Sequence, residues 1–122
     1  MKILILGAGR VGSSLASTLS RQEYEVSIVD LNKDKLLRLQ EDYDLATEIG
    51  HASHPITLEK AGADENTILL AVTNSDECNI TSCQIAKSKF NVKKTICRLS
   101  DSSYLESLEA FGYKRFADTG RN

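Results

Sequence analysis

A glycine-rich turn, Gly7-Ala8-Gly9-Arg10-Val11-Gly12, interrupts the first apolar run of the chain, MKILILGAGRVGSSLA. Residues 2–6 are typical of a buried strand, and the apolar residues after the turn recur at the spacing of one helix face. A strand that enters a helix through the pattern GxGxxG is the fingerprint of a dinucleotide-binding βα unit. This feature constrains the fold more than any other, because it predicts a parallel sheet with helical crossovers.

Each glycine of the turn has a separate task in such a unit. Gly7 permits the tight turn after the strand, Gly9 lets the backbone approach a pyrophosphate, and Gly12 allows the helix to pack closely on the sheet. The free N–H groups at the helix start then face the anionic oxygens. Arg10 and Val11 occupy the variable positions, and Arg10 either swings over the phosphates as a charged donor or stays an exposed surface charge.

An acidic residue, Asp30, ends the second predicted strand, eighteen residues after Gly12. A carboxylate in this position accepts hydrogen bonds from both ribose hydroxyls of an adenosine and repels a 2′-phosphate, so it favours NAD, NADH or an adenine nucleotide over NADP. The alternatives for Asp30 are a loop acid or the cap of the next helix. Lys33 and Lys35 would soften the selection if they reached the ligand, and each is otherwise a solvated helix residue.

Short β-rich runs alternate with helical periodicity along the whole chain, which predicts an α/β fold with a doubly wound parallel sheet. The six strands are expected in the Rossmann order 3-2-1-4-5-6, within a three-layer αβα sandwich. Because the order reverses between strands one and four, a ligand is expected above the loops at residues 7–12 and 73–76. The strands are predicted at residues 2–6, 25–30, 45–49, 67–72, 95–99 and 113–116, and four of the helices at about residues 33–43, 55–61, 75–90 and 102–111.

The predicted helix over residues 75–90 is capped by Ser75 or Asp76. Its core-facing stripe is expected to contain Ile80, Cys83, Ala86 and Phe90. Cys78 and Ile85, seven residues apart, are predicted to face away from that stripe. They form either a dimer contact or simply a partly buried thiol and an isolated exposed isoleucine.

The composition narrows the function classes. The 122 residues suffice for one domain but not for a nucleotide domain plus a substrate domain, which counts against a complete dehydrogenase. The formal net charge is −2 and no basic block occurs, so nucleic acid is not expected as a partner. No apolar stretch reaches the ~20 residues that span a bilayer, so the prediction is a soluble, cytoplasmic protein without direct membrane insertion. The three cysteines lack metal-ligand spacing and are predicted to be free.

A turn of small residues and two histidines, Gly50-His51-Ala52-Ser53-His54, follows the third predicted strand. Its small residues leave room for a base to lie flat on the adenine side of the crevice. His51 and His54 would form a zinc pair only with a third ligand, which the sequence does not show, so no metal is predicted. No nucleophile elbow or HExxH motif occurs, and no catalytic residue is assigned.

Four segments carry a resemblance to a known family across nearly the whole chain: GAGRVG, the strand end IVD, GHASHPITLEKAGADENTILLAVTNSDECN, and TICRL. They are similar to the N-terminal nucleotide-binding domains of the RCK or KTN family, which regulate potassium transport. That family usually shows GDA followed by Ser or Thr, where this chain has Gly50-His51-Ala52-Ser53. This departure, with the following His54-Pro55, is similar to the Trk branch of the family.

The resemblance implies a partner and an assembly. Bound NAD or NADH, or an adenine nucleotide such as ATP or ADP, would shift the conformation of a ring that gates a membrane potassium transporter, a TrkH-like subunit. The chain would form a homo-oligomer, at least a dimer, held in the cytoplasm at the inner face of the plasma membrane by that partner. Residues 1–117 would be the nucleotide-binding domain and residues 118–122 a C-terminal tail, within a fragment of a longer protein.

Carried over position by position, the resemblance also implies the cofactor-binding residues. The phosphate loop and the ribose acid match at Gly7, Gly9, Arg10, Val11, Gly12 and Asp30. The adenine-side turn matches at His51 and Ala52. The loop and helix start after strand four match at Thr73, Asn74, Asp76 and Asn79. Arg98, at the end of strand five, matches a family arginine that contacts phosphate or orders the loops.

These features are compatible with three functions. The first is a regulatory domain in which a nucleotide binds two arrangements of an oligomer with different affinity. The alternative is the NAD-binding fragment of a dehydrogenase whose catalytic domain lies elsewhere, and the third is a redox-sensing repressor, which would need a basic DNA-reading domain. Because no substrate domain accompanies the nucleotide loop, we predict a regulator and not an enzyme.

Overall fold

Strands and helices alternate along residues 1–100, the part of the chain that the computed structural model describes. The strands are β1 (Lys2–Leu6), β2 (Glu25–Asp30), β3 (Ala46–Ile49), β4 (Thr67–Ala71) and β5 (Lys94–Cys97). The helices are α1 (Arg10–Arg21), α2 (Lys33–Asp42), α3 (Pro55–Lys60) and α4 (Asp76–Phe90). None of these four helices is long and apolar enough to cross a lipid bilayer.

The five strands lie in the order β3-β2-β1-β4-β5, and every neighbouring pair is parallel. The predicted Rossmann order is therefore confirmed for these strands. The sixth predicted strand, residues 113–116, and the helix predicted before it, residues 102–111, lie outside the described residues. Leu6 at the end of β1 pairs with Ala71 at the end of β4, so the strand order reverses where these two ends meet and a crevice opens there.

Alternate residues of β1 feed two separate apolar clusters, one on each face of the sheet. Ile3 and Ile5 lie in the cluster that α1 and α2 cover, whereas Leu4 and Leu6 lie in the cluster that α3 and α4 cover. All four side chains are buried, so β1 forms the centre of a three-layer αβα sandwich. The predicted stripe of α1 packs against the first cluster, at Val11, Leu15 and Leu19.

The face of α4 that carries Cys78 and Ile85 corrects one prediction from the sequence. Both side chains are half-buried and pack against the second cluster, which contains Cys83 and Ala86, so they do not face away from the core. Ile80, expected in the core stripe, is half-buried and belongs to neither cluster of described residues. Because α4 packs against α3 as well as against β4 and β5, its buried face is wider than one stripe. The alternative of a partly buried thiol therefore holds for Cys78.

Side chains cap two of the helices that follow strands. Asn32 accepts a hydrogen bond from the backbone N–H of Lys35 at 3.1 Å and caps α2, so the cap role considered for Asp30 belongs to Asn32. Ser75 accepts a hydrogen bond from the N–H of Cys78 at 3.1 Å and caps α4. These caps place the first turns of α2 and α4 beside the crevice.

An ion pair joins the start of β1 to the segment before β4, at the opposite end of the sheet from the crevice. The ammonium of Lys2 lies 3.2 Å from Oδ2 of Asp64 and also donates to the carbonyl of Gly62. The backbone N–H of Asn66, and after it the hydrogen bond from Lys2, lower the pKa of Asp64 below its ordinary value of 3.8.

Asp64→Asn should lower the thermal midpoint by no more than a few degrees at neutral pH and change it less in acid. Because the pKa of Asp64 is lowered in the folded state, its contribution to stability is complete above the ordinary pKa and disappears as the pH falls through the lower, folded-state pKa. Thermal unfolding of wild type and Asp64→Asn, followed by circular dichroism at neutral pH and at a pH below the folded-state pKa of Asp64, measures the difference in thermal midpoint. Glu65→Gln, at the exposed neighbouring acid, is the control, and an equal effect of Asp64→Asn at both pH values would contradict the expectation.

Candidate functional site

The crevice at the reversal of strand order contains two connected clefts. The main cleft, of about 470 Å³, is lined by the glycine turn, the loop after β4 and Arg98. The side cleft, of about 430 Å³, is lined by the turn after β3 and by Leu31 and Cys78. Gly7, Asp30 and Thr73 line both clefts, so the two are continuous. Their size suits a small-molecule ligand or cofactor.

The two clefts bring together most of the residues predicted for the site. The main cleft is lined by Gly7, Gly9, Arg10, Val11, Asp30, Thr73, Asn74 and Arg98. The side cleft is lined in addition by His51 and Ala52. Gly12, Asp76 and Asn79 line neither cleft, and each lies where it supports a lining segment.

The three glycines of the turn occupy three different environments. Gly7 has a φ of +108°, in the left-handed region, and a Cβ there would lie 2.9 Å from the Cα of Thr73. A Cβ on Gly12 would lie 1.7 Å from the carbonyl oxygen of Gly7, so only glycine lets α1 start this close to the turn. A Cβ on Gly9 would meet no atom within 4 Å in the described part of the chain, so this residue faces open space.

The N-terminus of α1 differs from those of α2 and α4. Gly9 is the residue before its first turn and has no side chain to cap it, and the first turn contains no acidic residue. The free N–H groups of a helix start carry partial positive charge and favour an anion. The α1 start therefore presents donors toward the main cleft that none of the described side chains caps.

Both carboxylate oxygens of Asp30 accept backbone hydrogen bonds. Oδ1 accepts from the N–H of Ala8 and Oδ2 from the N–H of Asn32, each at 2.8 Å. These bonds tie the glycine turn to the turn between β2 and α2, a role that the sequence did not reveal. Because an ionised carboxylate offers about four acceptor positions, Asp30 keeps acceptor capacity toward the clefts that it lines.

Asn79, on α4, is completely buried beneath the main cleft. Its Oδ1 accepts from the N–H of Thr73 at 2.9 Å and from the Thr73 hydroxyl at 2.7 Å. Its Nδ2 donates to the carbonyl of Thr73 at 3.1 Å and to the carbonyl of Arg98 at 2.9 Å. The amide thus uses both donors and both acceptor positions within the protein, and Asn79 positions the lining segments instead of lining the cleft itself.

Asp76, at the first position of α4, binds the segment after β5. Its Oδ1 accepts hydrogen bonds from the N–H and the hydroxyl of Ser100, each at 3.0 Å. Two residues before Ser100, the N–H of Arg98 donates to the carbonyl of Ala71, at the end of β4, at 3.0 Å. Asp76 therefore holds the segment around Arg98 against α4, so that the Arg98 side chain lines the main cleft.

The histidine turn after β3 is held by its own hydrogen bonds. Nδ1 of His51 accepts from the N–H of Ser53 at 3.2 Å, and the rings of His51 and His54 stack with centroids 4.4 Å apart. Ser82 of α4 donates to the carbonyl of Ala52 at 3.0 Å. These contacts fix the turn as one wall of the side cleft.

The clefts are also lined by seven residues outside the predicted cofactor-binding set: Val29, Leu31, Lys35, Gly50, Val72, Ser75 and Cys78. Leu31 is 67% exposed. Because it directly follows Asp30, its position next to a predicted site residue was a signal in the sequence for a place in the cleft. Lys35, for which the sequence left open a ligand contact or a solvated helix position, lines the main cleft from the first turn of α2. Cys78 had no such signal, because its place depends on how α4 crosses the turn after β3.

The three cysteines are free, as predicted. A hydrogen bond between the thiols of Cys83 and Cys97, and after it burial, raises the pKa of Cys83, whereas the same bond lowers the pKa of Cys97. Because the thiolate is the reactive form, the Cys83 thiol is unreactive at neutral pH. Cys83 is thus a core residue of α4.

The parallel order, the uncapped start of α1 and the clefts define a Rossmann-type nucleotide-binding domain. The chain belongs to the TrkA-N family, because the family model of the TrkA-N domain matches residues 3–118.

Relatives with the name Trk system potassium uptake protein TrkA are similar to this chain over most of its length. The protein of Vibrio alginolyticus is 47% identical over 110 residues, which are 90% of this chain and 24% of that protein. The protein of Halomonas elongata is 40% identical over 114 residues, which are 93% of this chain and 25% of that protein. The chain therefore spans about a quarter of the length of these relatives.

Solved structures of similar fold include a domain in an AMP-bound form and a reductase. The Kef CTD of Shewanella denitrificans in its AMP-bound form has a TM-score of 0.78 at 23% identity, covering 95% of this chain and 69% of that chain. ChuY, an anaerobillin reductase from Escherichia coli O157:H7, has a TM-score of 0.70 at 18% identity, covering 92% and 60%. At such identities the likeness concerns the fold alone, and it does not distinguish a regulator from an enzyme.

Proposed function

We propose that this chain is the nucleotide-sensing regulatory domain of a Trk potassium-uptake system and that it is not an enzyme. The observation that carries the proposal is the uncapped N-terminus of α1, which opens onto the same cleft as the carboxylate of Asp30. Together they offer donors to phosphate oxygens and acceptors to ribose hydroxyls. Membership of the TrkA-N family and the names of the relatives support the link to potassium uptake.

The ligand is NAD, NADH or an adenine nucleotide such as ATP or ADP. Its phosphates bind at the start of α1, with Arg10 as a charged donor, and its ribose binds at Asp30. The adenine base occupies the side cleft between Leu31 and the wall formed by His51 and Ala52. The remaining part of the ligand extends through the main cleft toward Thr73, Asn74 and Arg98.

Regulation requires that the bound nucleotide stabilise one arrangement of the protein over another. The Asn79 amide is bonded to Thr73 and to Arg98, which belong to different segments of the cleft lining. A ligand that contacts both segments is therefore coupled to the position of α4. The signal passes through a homo-oligomer, at least a dimer, to a TrkH-like membrane potassium transporter, at whose cytoplasmic side the protein is a peripheral component.

Membership of the TrkA-N family and the names of the relatives favour a regulator over the alternative, an NAD-binding fragment of a dehydrogenase, and the main cleft fits a regulator. Hydride transfer needs an acid or base beside the nicotinamide. The ionisable side chains of the described main cleft are Arg10, Asp30, Lys35 and Arg98. Three of these are cations suited to phosphate, and Asp30 is bonded to two backbone N–H groups. Turnover of a 2-hydroxy acid or a sugar phosphate with NAD would contradict the regulatory proposal.

Asp30→Ala should weaken the binding of NADH and of ATP about tenfold to a hundredfold, because the ribose loses hydrogen bonds to a charged acceptor. Isothermal titration calorimetry of the purified chain measures both affinities. Asp34→Ala is the matched control, because Asp34 is an exposed acid of α2 that lines neither cleft, and its affinities should stay within about twofold of wild type. Unchanged binding by Asp30→Ala would remove Asp30 from the site.

Asp30→Asn separates the ligand contact from the tie between the two turns. The amide oxygen still accepts one of the two backbone hydrogen bonds, whereas the NH2 group faces the other N–H donor, so one tie is kept where Asp30→Ala loses both. We expect its affinity for NADH to lie between those of wild type and Asp30→Ala. An affinity below that of Asp30→Ala would show that the charge of Asp30 does not act through the ribose.

A further inference from the structure

A groove between α1 and α2 adjoins the main cleft and is not used by the proposed function. This α1–α2 groove has a volume of about 560 Å³ and is lined on the α1 side by hydroxyl groups of Ser13, Ser14 and Ser17. Gly9, Arg10 and Lys35 line both the groove and the main cleft. A group that projects from a ligand in the main cleft can therefore enter the groove.

The end of the α1–α2 groove next to the main cleft is positively charged. Arg10, Lys35 and Arg38 line the groove, and all three are exposed. Within residues 1–100 none of the three forms an ion pair. Asp42, the one carboxylate among the groove's described residues, is the last residue of α2 and lies about 10 Å of helix away from Lys35. Asp42 is one helical turn from Arg38, so Arg10 and Lys35 are the cations of the groove that have no groove carboxylate within one turn of their own helix.

The carboxylate of Asp30 is at the entrance to this positive end. Its two oxygens accept hydrogen bonds from the N–H groups of Ala8 and Asn32, which offset part of its negative charge. Lys35 stands in the first turn of α2 after Asp30 and lines both the main cleft and the groove. Lys35 therefore connects the position of Asp30 in the main cleft to the groove, and Arg38 lies about one helical turn farther along α2.

We propose that the α1–α2 groove is a subsite for the 2′-phosphate of a dinucleotide, so that the chain binds NADPH as well as NADH. This inference rests on the proposed nucleotide site. A phosphate with a charge near −2 matches the ammonium of Lys35 and the guanidinium of Arg38. The hydroxyl of Ser14 supplies a further donor, whereas that of Ser13 already donates to the carbonyl of Ala8. The carboxylate of Asp30 by itself repels a 2′-phosphate, which is why the sequence favours NAD over NADP. The groove adds positive charge from Lys35 and Arg38 of α2, which attracts the same phosphate.

Binding of NADPH and NADH to wild type, Arg38→Glu and Lys33→Glu tests the subsite. Arg38 lines the groove but not the main cleft, so its reversal acts on the 2′-phosphate and spares NADH. In wild type the Kd for NADPH should lie within about tenfold of that for NADH, and Arg38→Glu should raise the ratio of the two about tenfold. Lys33, exposed on the same helix, lines neither the groove nor the clefts, so Lys33→Glu should change the ratio less than about twofold.

Two results would overturn the subsite while leaving the nucleotide site intact. The first is an equal ratio of the Kd for NADPH to the Kd for NADH in Arg38→Glu and Lys33→Glu. The second is binding of NADH by wild type without measurable binding of NADPH. ATP and ADP, titrated into the same variants, test whether the groove takes a terminal phosphate. A loss in Arg38→Glu that is confined to ATP would overturn the 2′ assignment. If wild type binds none of these four nucleotides, the proposed function fails together with the subsite.

Discussion

Gly12→Ala should lower the free energy of unfolding by about 3 kcal/mol or more and abolish nucleotide binding. The added Cβ would lie 1.7 Å from the carbonyl oxygen of Gly7 and 2.8 Å from its carbonyl carbon. Both are backbone atoms, and Gly7 is itself held by a 2.8 Å hydrogen bond from its N–H to the carbonyl of Val29. Because no side-chain rotation relieves the overlap, α1 has to move away from the turn. Urea denaturation followed by circular dichroism, with calorimetric titration of NADH, measures both effects.

Gly9→Ala is the matched control for Gly12→Ala. Its Cβ meets no described atom within 4 Å, so the free energy of unfolding should change by less than about 1 kcal/mol. The methyl group nevertheless occupies space that the pyrophosphate approaches, so the affinity for NADH should fall. If Gly12→Ala were as stable as Gly9→Ala, α1 would not be packed on the turn as described. Wild-type affinity in Gly9→Ala would place the phosphates elsewhere.

Asn79→Leu should cost about 3 kcal/mol of stability and weaken nucleotide binding. Leucine has a similar size but no polar atoms, so the N–H and carbonyl of Thr73 and the carbonyl of Arg98 lose their partner beneath the cleft. A polar group left without a hydrogen bond in a buried site costs ~1–3 kcal/mol. Chemical denaturation gives the stability, and the affinity for NADH reports the displacement of the cleft lining.

Asn74→Leu separates positioning from contact. Asn74 is exposed and lines both clefts, so its replacement should change the stability by less than about 0.5 kcal/mol while lowering the affinity for NADH. Asn79→Leu should instead lower both quantities. The role assigned to the buried amide would be wrong if Asn79→Leu unfolded at the same denaturant concentration as wild type.

The structure adds contacts at two of the predicted site residues that the sequence did not show. Asp30 was expected to face the ribose, and the structure adds that its carboxylate joins two turns through Ala8 and Asn32. Asn79 was assigned to the ligand by resemblance, yet it is fully buried and bonded to Thr73 and Arg98. In both cases the residue type and its position near the crevice were readable, whereas the partners were not.

The sequence by itself determined the local elements and their parallel arrangement. The strand, turn and helix around Gly7 to Gly12 follow from sterics and periodicity that act within a few residues, and the alternation of such units predicts the order of strands. Only the tertiary structure decided which distant side chains meet. The carboxylate of Asp30 accepts a hydrogen bond from Ala8, 22 positions away, and the amide of Asn79 donates to the carbonyl of Arg98, 19 positions away. Arg10 and Arg38, on different helices, line the same groove. Such contacts depend on how each helix crosses the sheet, and that crossing is set by the packing of whole faces, which local periodicity does not specify.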